Sequence, residues 1–230
     1  MITTRLLRVL LGLTLALPAS MALGELSLGF SSGGAIVTAP EFELVSDGEG
    51  MPALGLRAGL ELDPSFEVQL GLGYSGARAP LFGNQYAGLR LLTLELTAGY
   101  HLPLWSFLGT GVRLGILGDL GRLQIESYSD YDRFRGWSAG FGLVALAGLE
   151  CRVPLESRRL DGARRPSGQT FRFGVEAGYR WRPAAMPFHD LDRKTAREDP
   201  EIQRIALEGF DAGSIRLSGA VVQLTAGMSF

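Results

Sequence analysis

The sequence predicts an all-β protein, a closed antiparallel transmembrane β-barrel of about eight strands in an up-and-down meander. Three observations predict it. The chain opens on a short apolar segment with a basic front edge, and nearly everything after it alternates with a period of two. No later stretch reaches the roughly 18 uncharged apolar residues of a membrane helix; Gly136 to Leu149 comes nearest, but interleaves glycine with bulky residues.

The first element is an export segment. Arg5 and Arg8 form a positive region, Val9 to Leu17 an apolar stretch ended by Pro18, and Ser20-Met21-Ala22 a small-residue cleavage site. The apolar part is shorter than the roughly 20 residues that span a bilayer. The expected division is therefore a signal peptide over 1–22 and one barrel domain over 23–230, with no linker in between.

The alternation separates two faces, because strand side chains point to opposite sides in turn. One phase is apolar. It runs Leu54, Leu56, Ala58, Leu60, Leu62; then Phe66, Val68, Leu70, Leu72, Tyr74; and on through Leu92 to Leu102, Leu108 to Ile116, Trp137 to Leu149 and Phe171 to Trp181. The opposite phase carries Arg57, Glu61, Glu67, Glu95, Arg113, Glu150, Arg152, Arg172, Glu176 and Arg180, interleaved with glycines such as Gly59, Gly99, Gly115 and Gly178. A soluble sandwich would also alternate, with its apolar face inward. Here lysine is nearly absent, glycine is dense, and arginine balances glutamate. Glycine makes room where strands curve around a crowded interior, and buried ions need partners. The expected arrangement is apolar phase to lipid and these ten charged residues in an ion-paired lumen.

Eight strands follow, at about 26–38, 53–63, 66–75, 88–102, 106–118, 136–153, 169–182 and 213–230. Asp63-Pro64-Ser65 and Leu102 to Trp105 are tight turns; 39–52, 76–87, 119–135 and 183–212 are long polar connections for the opposite end. The connection 154–168, with Arg158, Arg159, Arg164 and Arg165, is too long for its place. Either that hairpin extends beyond the membrane or the strand count is wrong near it. Phe66, Trp105, Phe107 and Phe171 gather at one set of strand ends, and Tyr74, Trp137, Tyr179 and Trp181 at the other, as two interfacial girdles would require. A short helix is expected after Asp199, with Pro200 in its first turn and Gly209 ending it.

The last run sharpens this reading. Val222, Leu224, Ala226, Met228 and Phe230 alternate with Val221, Gln223, Thr225, Gly227 and Ser229. This pattern resembles the C-terminal signal strand of bacterial outer-membrane barrels. With the export segment and the alternating runs, the chain resembles the small eight-stranded outer-membrane proteins of the OmpA-barrel and OmpX type, without the peptidoglycan-binding domain that OmpA carries. The resemblance implies the outer membrane of a Gram-negative cell, contact with its lipid and lipopolysaccharide, and delivery by the barrel assembly machinery. It favours a monomer and fixes no activity.

Composition narrows function. With 22 basic and 24 acidic residues the net charge is −2, and losing Arg5 and Arg8 takes it to −4, so nucleic acid is not an expected partner. Cys151 stands alone, and His101 and His189 are the only histidines, so neither a disulfide, a metal site nor a cofactor is expected. His101 falls in the lumen phase; His189 neighbours Asp190 and Asp192 in a connection, and no His-x-Ser pattern of the lipid A deacylases is present. The tract Glu126, Tyr128, Asp130, Tyr131, Asp132 reads as a solvated acidic tip. The leading function is a non-enzymatic surface barrel with a largely closed lumen, serving envelope integrity or partner binding. A narrow passage for a small solute is the alternative, and a rim-located lipid-modifying enzyme is third.

Overall fold

The computed structural model describes residues 25–46, 48, 50–80, 85–127, 133–158, 164–189, 192–194 and 213–230. The expected export segment, the tip at 128–132 and the helix after Asp199 lie outside them. Eight long strands form the body: β1 Glu25–Val37, β2 Gly50–Asp63, β3 Phe66–Pro80, β4 Gln85–Pro103, β5 Leu108–Ser127, β6 Arg133–Arg158, β7 Arg164–Trp181 and β8 Gly219–Ser229. Each pairs antiparallel with the next in sequence, and β8 returns to pair with β1, so the sheet closes on itself. Closure leaves no unpaired edge among these eight strands, the condition for a sheet to cross a hydrocarbon layer.

Local chemistry fixes the turns. At β2–β3 the Ser65 amide donates to the Asp63 carboxylate at 2.7 Å, a side chain standing in for a turn carbonyl. At β4–β5 the Leu104 and Trp105 amides both donate to the Leu108 carbonyl at 2.9 Å. These turns, Glu25 and Ser229 share one end of the barrel, here called the turn end.

Strand lengths depart from expectation at the other end. About 9–11 residues suffice to cross a bilayer, yet β4 has 19, β5 has 20 and β6 has 26. Residues 119–127 and 133–135, expected in a connection, continue β5 and β6 as a hairpin stem, and 76–80 likewise extends β3. Gly118 interrupts the apolar phase there, which makes a strand look like a loop. At the turn end, residues 154–158 and 164–168 are also a stem: β6 and β7 pair out to Arg158 and Arg164, across a register shift after Pro154, which has no N–H for the ladder. The eight-strand count stands. The last expected run, 213–230, divides into a short Ser214–Ile215 bridge, paired with Met186–Pro187, and β8 itself.

Outward side chains form a continuous apolar belt that includes Leu56, Leu94, Leu96, Leu114, Phe141 and Leu224, all exposed. Trp105 and Phe107 lie at the turn end and Trp137 and Trp181 toward the other, again outward. Inward, glycine makes space for ions. A Cβ at Gly59 would overlap the Glu67 carboxylate and the Ser27 hydroxyl, and one at Gly99 would come within 2.7 Å of Arg113 Cγ.

Candidate functional site

Charged side chains converge in the lumen, in layers along the barrel axis. Nearest the turn end, Arg172 from β7 is the hub. It reaches Glu67 at 3.1 Å and Glu150 at 2.9 Å, and also donates to Glu61. Arg152 adds a bond to Glu150 at 2.6 Å and lies 3.5 Å from Glu61. Ser27 donates to Glu67 at 2.6 Å, and His101 Nε2 lies 3.3 Å from the other oxygen of that carboxylate. Glu67, only 1 % exposed, is thus contacted by a guanidinium, a hydroxyl and an imidazole. Such multiple partners are what a desolvated carboxylate needs to remain charged.

The next layer centres on Glu176. Arg57 donates to it at 2.8 Å, Gln223 at 3.0 Å, and Arg113 contacts both Glu176 and Gln69. Beyond it Arg180 pairs with Glu95 at 3.0 Å. The ten charged residues of the lumen phase face inward and join into three groups, around Arg172, Glu176 and Glu95.

A fourth group was not singled out from sequence. Asp119 of β5 accepts from Arg182 Nε at 2.5 Å and from Thr93 at 2.6 Å, and Arg182 also donates to the Leu217 carbonyl at 2.5 Å. Both charged side chains are almost fully buried. The lumen phase of β7 extends to Arg182, so that half of the signal was present. Asp119 sat in a presumed connection, which hid its partner.

Above this pair the lumen turns apolar. Phe42, from a 3₁₀ turn at Pro40–Leu44, and Val45, which follows that turn, meet Met186, Phe188, Ile215 and Leu217 from the β7–β8 connection. They pack on inward Val37, Met51, Leu89, Leu91 and Leu123. Gly121 and Gly140 receive Met186: a Cβ at either would come within about 3.1 Å of it. Charge fills the turn-end part, and two connections fold back to plug the other with hydrocarbon.

Two lumen cavities, of about 30 and 40 Å³, adjoin Arg57. That is room for a few waters. Ser27, Glu67 and His101 form a serine–carboxylate–imidazole series with the carboxylate in the middle. A nucleophilic triad needs the imidazole between the other two, so that it can take the hydroxyl proton. Among the described residues no group of three or more His, Cys, Asp or Glu side chains is gathered for a metal ion. His189 is exposed near the plug. Val222, Leu224, Ala226 and Phe230 lie exposed and Met228 half-buried on the outward phase, and the Phe230 amide donates to the Leu26 carbonyl at 2.9 Å across the closing seam.

An eight-stranded meander, closed, apolar outside and ion-filled within, defines the outer-membrane type of β-barrel. Among solved structures, the chain is similar to a major outer membrane protein from Thermus thermophilus, with a TM-score of 0.51, 12% identity, and coverage of 90% of this chain and 98% of that one. Neisserial surface protein A matches at a TM-score of 0.43 and 12% identity over 90% of this chain and 95% of its own. The N-terminal barrel domain of Pseudomonas aeruginosa OprF matches at 0.38 and 15%, over 90% and 99%. The likeness to the Thermus protein is one of fold. No protein-family model and no curated protein sequence matches the chain.

Proposed function

We propose that this chain is an exported, non-enzymatic barrel of the bacterial outer membrane that acts as a sealed surface protein, with its hairpin stems and connections serving envelope integrity or partner binding. Residues 1–22 direct export, and the β8 strand through Phe230 is what the assembly machinery reads. One observation carries the sealed character: the apolar plug of Phe42, Met186, Phe188, Ile215 and Leu217 stacked on the Arg182–Asp119 pair. Ions crossing would have to be stripped of water among hydrocarbon side chains and then pass a lattice of paired charges, and each step is costly. The turn end then faces the periplasm, and the stems of β3–β6 face outward. The test is twofold. Fractionation is expected to recover the processed chain with outer-membrane markers, and purified protein in planar bilayers is expected to give no sustained conductance. Recovery as a soluble periplasmic protein defeats the placement. Stable single-channel steps defeat the seal.

A further inference from the structure

Four arginines lie together on the outside of the barrel, beyond the apolar belt, where the lumen network does not use them. Arg78 on β3, Arg90 on β4, Arg122 on β5 and Arg135 on β6 all belong to the outward phase of the hairpin stems. Arg90 and Arg122 are direct cross-strand partners, an arrangement that like charges disfavour unless an anion lies between them. Arg90 has no ion pair or hydrogen bond among the described residues, and the Nε atoms of Arg122 and Arg135 are buried without a partner. One carboxylate, Glu126, ion-pairs with Arg78 at 3.7 Å and accepts a hydrogen bond from Gln124.

Aromatic rings hold two of these cations in place. The Arg78 guanidinium sits 4.5 Å from the Tyr86 ring centre, and that of Arg122 5.5 Å from Trp137. Gly76 and Gly88 flank the arginine stems, and beside them opens a hollow of about 280 Å³ whose polar lining includes Arg78, Arg90, Tyr86, Gln124 and Glu126. Stacking occupies the face of a guanidinium and not its edge, and that edge matches a phosphate with two parallel N–H bonds.

Position selects the ligand. The next outward residues toward the turn end are Leu92 on β4 and Leu120 on β5, both exposed. Two residues along a strand is about 7 Å, so the arginines lie one headgroup's height above the hydrocarbon belt, with no polar gap between. We propose that this patch binds the phosphate of a phosphorylated glycolipid of the outer leaflet, whose acyl chains lie along Leu92, Leu94 and Leu120. The assignment rests on the outer-membrane placement proposed above.

The test uses the full processed chain in detergent, incubated with bisphosphorylated lipid A or with its dephosphorylated form and followed by native mass spectrometry. The expected result is retention of the phosphorylated lipid, weakened about tenfold in Arg90→Gln/Arg122→Gln, as loss of charge-assisted contacts implies. A variant at the opposite end, Arg165→Gln in the β6–β7 stem, is expected to bind as wild type does. Heat-modifiable mobility on gels checks that each variant is a folded barrel. Equal binding of the dephosphorylated lipid, or undiminished binding by the folded double variant, overturns the inference and leaves the barrel reading untouched. Competition by a soluble sulfated polysaccharide, with no preference for phosphorylated lipid, also overturns it and assigns the patch to a soluble polyanion. Failure of the wild-type chain to enter vesicles at all defeats the placement, and this inference with it.

Discussion

Replacing Arg172 with glutamine tests whether the lumen is held by paired charge. Arg172 is 7 % exposed and satisfies Glu61, Glu67 and Glu150 together. Without it Glu61 and Glu150 share Arg152, which is 31 % exposed and bonds well only to Glu150, while Glu67 keeps Ser27 and an imidazole. At least one buried carboxylate is then left without a cation. Breaking a buried pair in this way costs about 3–5 kcal/mol. Restoring the balance by removing an acid as well, in Arg172→Gln/Glu67→Gln, is expected to recover about 1–3 kcal/mol relative to the sum of the single changes, as groups in one network do. Protein refolded into lipid vesicles, titrated with urea and read by tryptophan fluorescence and gel mobility, measures both quantities. The reasoning is refuted if Arg172→Gln stays within about 0.5 kcal/mol of wild type, the range of an ordinary surface change. Strict additivity of the two substitutions would refute the coupling.

Two further predictions use the same assay. Glu95→Leu, which strands Arg180, is expected to destabilise clearly, and Leu96→Arg, which puts a charge into the belt, to cost about 2–4 kcal/mol; a neutral Glu95→Leu beside a severe Leu96→Arg would reverse the assignment of faces at β4. Phe188→Ala, at a fully buried plug position, is expected to cost about 3–5 kcal/mol while the barrel still forms; a loss below about 0.5 kcal/mol would mean that the side chain does not pack in the lumen.

The barrel was legible in the chain because its strands obey one rule for most of their length. From Leu54 to Leu62 or Leu92 to Leu102, every second residue is apolar, and the intervening charges mark the other face. Ring closure and the inward face of Arg57, Glu95 and Arg180 follow from that rule and the strand count. What was not legible broke the period or lay outside it. Leu89, Leu91 and Leu123 occupy the lumen phase but are apolar, so alternation alone could not say what they pack against. Their partners Phe42, Met186, Phe188 and Ile215 come from connections, where no repeat announces burial. Asp119 is hidden for a related reason, since Gly118 beside it interrupts the apolar phase and makes a strand resemble a turn. Contacts between distant segments carry no local signature, and the plug is made entirely of such contacts.

That plug has a consequence for the order in which the molecule can be completed. Seven of the eight strand pairs join neighbours in sequence; the eighth, β1 with β8, joins the two extremes of the barrel and must find its register from Ser27↔Ser229 to Val37↔Gly219 without a hairpin to guide it. The connection that follows β1 brings Phe42 and Val45, and the one that precedes β8 brings Met186, Phe188, Ile215 and Leu217. The two halves of the hydrocarbon cluster therefore flank this seam and stay apart until it zips. The cluster is a clasp. Its two parts come together when the final pair is in register, so the one join that no hairpin guides is coupled to the completion of the cluster.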